Sequence, residues 1–143
     1  MERFINTLLL ITNMKDAKLY YQLGQQAELL IDRETSEENR ASIRKVSAQN
    51  YFYAGICAIE YLLKIKAKIG VSQISNHRER EKIMKRNHAI FKNKNLIFKY
   101  NQIITSIRIR TAYEGKNGND FAIMKEFADI CMDELNFLEK SNP

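Results

Sequence analysis

The only imidazoles in the 143-residue chain are His77 and His88, eleven positions apart in a stretch crowded with arginine and lysine. Histidine ligates metals or passes protons near neutral pH, but the cations around this pair oppose a metal ion. Both are therefore expected as exposed histidines, and neither a metal nor a cofactor is expected. The sequence contains no glycine-rich phosphate loop, no His-Glu-x-x-His zinc motif and no serine nucleophile elbow. The carboxylate pairs Glu37/Glu38 and Asp133/Glu134 are adjacent, so on a helix they point about 100° apart and are expected to face solvent. Cys57 and Cys131 lie far apart in apolar stretches, with no further ligand at metal spacing, and read as two buried thiols. One stretch remains, Ser106 to Gly115 (SIRIRTAYEG), which sets Arg108 and Arg110 among apolar residues and closes on Tyr113-Glu114-Gly115.

Helices must position these residues. A single proline at the last position and five glycines leave little to interrupt them. With 45% hydrophobic and 28% charged residues, the chain has the composition of one ordered domain. The run Leu8 to Ile11 is too short for a membrane span or a signal peptide, so a soluble, cytoplasmic protein is expected. A helix is predicted over 14–31, with Ala17, Tyr20, Gly24, Ala27 and Ile31 in one stripe. A second, over 39–69, is apolar nearly all round from Tyr51 to Leu63 and belongs at the centre of a bundle, with Gly70 as its left-handed cap. A short charged helix over 76–91 has Ile83, Met84 and Ala89 to Phe91 to pack. The fourth, 95–114, carries Leu96, Ile97, Tyr100, Ile103, Ile104 and Ile107 on one face, with Arg108 and Arg110 just beyond its edges and Gly115 as its stop. The fifth, from an Asn119 or Asp120 N-cap to Lys140, shows two apolar stripes, Met124/Ala128/Cys131/Leu135/Leu138 and Ile123/Phe127/Ile130/Phe137. The fold class is all-α: an up-and-down antiparallel bundle of four long helices and one short one over 14–140. Residues 1–13 form an N-terminal extension or extra helical turn, and 141–143 a tail.

Charge is unevenly spread. Lys64 to Arg110 holds 13 lysines and arginines against two acidic residues, while the rest of the chain holds 10 basic and 15 acidic residues. A clustered basic surface is the footprint of a protein that contacts phosphates, and it is equally the dress of a solvated face.

The succession MKDAKLYYQLGQQAELLI, then IRKVSAQNYFYAGICAIEYLLKIKAK, then a long helix ending RIRTAYEG and a last amphipathic helix resembles the HEPN superfamily of helical bundles, over roughly residues 14–140. It looks most like bacterial HEPN-like families of unknown function, whose penultimate helix also ends in a Tyr-acidic-Gly turn. The resemblance implies a bundle that commonly dimerises. In active members it implies a metal-independent ribonuclease, whose arginine is followed after four to six residues by a histidine, the two activating the ribose 2′-hydroxyl and stabilising the phosphate. Here Arg108 is followed after four residues by Tyr113, a phenol that titrates near pH 10 where a neutral-pH base is needed.

The reading is thus a non-enzymatic HEPN-like binding or assembly module, a homodimer to which surplus apolar residues such as Ile109 contribute, with RNA or a protein as partner. The expected RNA contacts are Arg78, Arg80, Lys82, Lys85, Arg86, Lys92, Lys94, Lys99, Arg108 and Arg110. The alternatives are a ribonuclease or toxin component with a displaced site at His77 or His88, for which His88 is the residue to mutate, and a purely structural protein-interaction module.

Overall fold

The computed structural model describes the backbone of residues 2–112 and 118–141, and the side chains of residues 14–107 and 119–141. The described residues are helical throughout their regular elements: α1 (Glu2–Ile31), α2 (Glu37–Ala67), α3 (His77–Arg86), α4 (Leu96–Gln102), which continues as a π-helical segment (Ile103–Ala112), and α5 (Gly118–Ser141). Short 3-10 turns, Val71–Gln73 and His88–Ile90, flank α3. The all-α bundle read from the sequence is the fold. The backbone of α1 continues as helix back to Glu2.

Contacts between side chains set the directions of the helices. Gly24 of α1 accepts a bond from Ser47 of α2, and Tyr20 meets Tyr53, so α1 and α2 are antiparallel. Lys18 to Glu139, Tyr21 to Asp129 and Lys125 to Glu28 run α5 antiparallel to α1. The parallel neighbours α2 and α5 approach closely where Phe127 packs on Gly55. A Cβ there would lie 2.5 Å from the ring, so no larger residue fits without displacing it. The all-round apolar stretch of α2 is central as expected, with Tyr51, Phe52, Ile59, Leu62 and Leu63 buried among Tyr100 and Ile107 from the fourth helix and Phe127 from α5.

Boundaries differ from the sequence reading where side chains compete with the regular pattern. Ser36 caps α2, accepting the N–H of Asn39 at 3.3 Å, so the helix begins two residues earlier. It ends at Ala67, and the left-handed residue is Lys68 (φ 59°) rather than Gly70. α3 stops at Arg86, where the N–H of Asn87 bonds to the carbonyls of Ile83 and Met84 and its side chain also bonds Ile83. Asn119 and Asp120 lie inside the first turn of α5 instead of capping it. The fourth helix is α-helical for only seven residues before its bonds lengthen to the i→i+5 pattern. Thr105 and Ser106 lie at that change, their hydroxyls bonding the Asn101 and Gln102 carbonyls at 2.8 and 3.0 Å and competing with the α-helical ladder. Leu96, Tyr100, Ile103 and Ile107 of the expected stripe are still buried.

Candidate functional site

The start of α3 is fixed by Asn76, whose side chain accepts the N–H of Glu79 at 2.8 Å. This sets His77 and Arg78 in the first turn and aims Arg80 inward. Arg80 is 8% exposed, so the expected RNA contact is instead part of the interior. Its Nε and Nη2 donate to Glu60 Oε1 of α2 at 3.1 and 2.6 Å, and its Nη1 donates to the Tyr100 hydroxyl at 3.0 Å. The same Nη1 lies 2.8 Å from His77 Nδ1. A guanidinium only donates, so Nδ1 accepts and the imidazole proton sits on Nε2. Tyr100 in turn donates to the His77 carbonyl at 3.0 Å, and the His77 ring stands edge-on to Phe52 with centroids 5.5 Å apart.

Burial pulls the Arg80 pKa down, but Tyr100 and Glu60 outweigh it and the net displacement is upward, so the guanidinium stays charged. Burial raises the Tyr100 phenol above its ordinary value despite the opposing Arg80 charge. Sequence reasoning placed Arg80 with its basic neighbours and His77 in solvent, and passed over Glu60. The available signal was Glu60 itself, the one carboxylate within the apolar Tyr51 to Leu63 stretch. Glu81, also buried, receives the Asn101 side-chain amide and ties α3 to α4.

Outside this network a cleft of about 490 Å³ opens at the head of α3, lined by Asn76, His77, Arg78, Glu79, Lys82 and Ile104. Arg78, Lys82, Lys85, Arg86, Lys92 and Lys94 are exposed along α3 and the connection to α4. Two of them make long ion pairs, Lys85 with Glu81 at 3.9 Å and Arg86 with Glu79 at 3.7 Å, and Lys92 lies 4.6 Å above the Phe137 ring. Lys99 folds against α5, 3.1 Å from Glu126. The side chains of Arg108, Ile109, Arg110 and Tyr113 lie outside the described residues. His88 is exposed on the 3-10 turn beyond the far end of α3, roughly 15 Å of helix from His77. The two histidines therefore do not share a site.

Glu134 and Cys57 depart from their expected placements. Glu37, Glu38 and Asp133 face solvent, but Glu134 is buried: its Oε1 accepts the N–H of Asn93 at 2.6 Å, while Oε2 has no bond among the described residues. Cys131 is buried and Cys57 half-buried, both as free thiols. Burial, then Glu60 and Asp16, pushes Cys57 up to about 12, and burial followed by Glu134 raises Cys131. Neither is a ready thiolate at neutral pH. Among the described residues no cluster of three His, Cys, Asp or Glu side chains could hold a metal, and no helix is long and apolar enough to cross a membrane. No protein-family model, curated protein or solved structure matches the chain.

Proposed function

We propose that the chain is a non-enzymatic, HEPN-like binding module that contacts RNA phosphates through the basic edge of α3 and the connection to α4. The observation that carries this is the run of six exposed cations, Arg78, Lys82, Lys85, Arg86, Lys92 and Lys94, beginning at a cleft where two of them flank His77. Phosphate contact needs accessible cations in series, and Arg78, Lys82 and Arg86 stand at i, i+4 and i+8 along one side of α3, followed in the chain by Lys92 and Lys94. A general base for the 2′-hydroxyl needs an acceptor nitrogen free to take a proton. The Nδ1 of His77 is already occupied by Arg80, whose own donors serve Glu60 and Tyr100.

The test is binding of the purified protein to a mixed pool of labelled RNA across a salt series, with RNA length followed on a gel. Binding should weaken steeply with salt, and Lys82→Glu with Arg86→Glu should lower affinity at least tenfold and flatten the salt slope by roughly 1–2. Absence of binding at low salt would overturn the proposal. The place of His77 in the cleft supports a second reading, a ribonuclease with a displaced site. RNA shortening that His77→Ala abolishes would establish it, and His88→Ala should then leave cleavage intact.

A further inference from the structure

The connection from α3 to α4 meets α5 at a second cleft, of about 230 Å³, lined by Lys92, Asn93, Ile130, Asp133 and Glu134. One wall is the carboxylate of Glu134, a residue only 2% exposed. The Asn93 N–H donates to its Oε1 at 2.6 Å and holds the group in place, while Oε2 has no bond among the described residues. The Asn93 side chain is fixed in turn, its Oδ1 accepting the Asn95 N–H at 2.8 Å. A buried polar atom without a partner is costly, so this oxygen calls for a donor from outside the chain. The exposed Asp133 adds a second carboxylate to the same cleft.

Position within the basic edge selects the donor. Lys92 lines the cleft and Lys94 follows it, so an RNA strand held by the cations of α3 and this connection would pass its opening. A carboxylate there repels phosphate, but it accepts from the N–H groups of a base. Volume limits the guest to a single base, since the cleft is smaller than the roughly 300 Å³ at which drug-sized pockets begin. That base must be unpaired, with its Watson–Crick edge free. Guanine has the edge that suits a carboxylate, because its N1–H and its amino group are adjacent donors with no acceptor between them. Adenine and cytosine set a ring-nitrogen acceptor beside the amino group, and uracil sets its one N–H between two carbonyls, so each would turn a lone pair toward the carboxylates. Ile130 supplies an apolar wall for the ring face, and Lys92 a charge for the adjoining phosphate.

We infer that this cleft is a guanine-selective base pocket on the basic edge, in which Glu134 Oε2 and Asp133 accept the N1–H and amino hydrogens of an unpaired guanine. The terminal torsion of a glutamate is soft, so the carboxylate tilts to meet the entering donors. The inference rests on the RNA contact proposed for the neighbouring cations, and it adds a base preference that phosphate contacts do not supply.

Fluorescence anisotropy of the full chain with short labelled oligouridines, each carrying one central guanosine, inosine or adenosine, tests it. The guanosine RNA should bind about tenfold more tightly than the adenosine RNA, with inosine, which lacks the amino group, between them. Glu134→Gln should bring the guanosine RNA down to the affinity of the adenosine RNA, and Asp133→Asn, at an exposed position, should narrow the gap. The Lys82→Glu, Arg86→Glu reversal should weaken all three RNAs and keep their order. Guanosine 5′-monophosphate alone, titrated by nuclear magnetic resonance, should shift the Asn93 backbone amide, and adenosine 5′-monophosphate should not. RNA binding without a guanosine preference would overturn the base pocket and leave the phosphate contact standing. So would an Asn93 amide that magnesium ions move and guanosine 5′-monophosphate does not. Absence of RNA binding at low salt, with Asn93 still shifted by guanosine 5′-monophosphate, would overturn the phosphate contact and leave the pocket.

Discussion

Arg80 shows how one carboxylate changes the role of a cation. It sits among Arg78, Lys82 and Arg86, all exposed, yet it is buried because Glu60 waits on the facing helix. Removing one member of such a pair leaves the other charge desolvated and uncompensated. Arg80→Met should therefore lower the unfolding free energy by about 3 kcal/mol in urea titration, and adding Glu60→Met should recover most of that loss. Folded Arg80→Met should still bind RNA with near wild-type affinity, unlike the Lys82/Arg86 reversal. A loss of RNA affinity matching that reversal would mean that Arg80 reaches solvent after all.

At the scale of elements, the end of α2 is the clearest departure from sequence pattern. The backbone N–H of both Lys68 and Ile69 bonds the Leu63 carbonyl, the latter at 3.2 Å, and Ile69 packs against the core. That apolar contact fixes where the chain must turn, and the left-handed conformation falls on Lys68 two residues before the available glycine. A side chain there carries a steric cost that glycine avoids. Lys68→Gly should accordingly stabilise the protein by up to about 1 kcal/mol, read as a shift in the denaturant midpoint at unchanged m. A Gly70→Ala variant should show no comparable strain, because Gly70 has φ −81°.

For the whole molecule, alkaline pH is the sharpest probe of packing between helices. Tyr21 donates to Asp129 at 2.5 Å and Tyr51 to Glu28 at 2.6 Å, with Glu28 also held by Lys125 at 2.8 Å. These bonds join α1, α2 and α5. Burial first, and then the partner carboxylate, raises both phenols well above their ordinary value near 10, and Tyr100 is raised by burial. The folded state holds these protons after the unfolded chain has begun to release them. Their stabilisation is thus complete below the unfolded values and lost as pH rises. Cys57, near 9 unfolded and about 12 folded, adds to the same slope. Thermal midpoints should be little affected by these groups between pH 7 and 8.5 and should then fall through pH 11. Tyr51→Phe should make that fall shallower. A Tm that stays flat to pH 11 would show that these side-chain bonds do not form in solution.

Composition and apolar period alone determined the all-α class, the central place of α2, and the buried stripe of α5 from Met124 to Leu138, because these follow from which side chains leave water. The exposed basic edge was legible in the same way, since long charged residues stay solvated unless a partner draws them in. The partner is what a single chain order does not reveal. Glu60 and Arg80 are twenty residues apart, Asn93 and Glu134 forty-one, and Gly55 meets Phe127 only because α2 and α5 lie side by side. Tertiary structure alone decided that Arg80 and Glu134 turn inward and that α2 ends at Ala67 with Lys68 left-handed. Each outcome depends on a group from a distant segment arriving within hydrogen-bond or packing distance, where one contact outweighs local pattern.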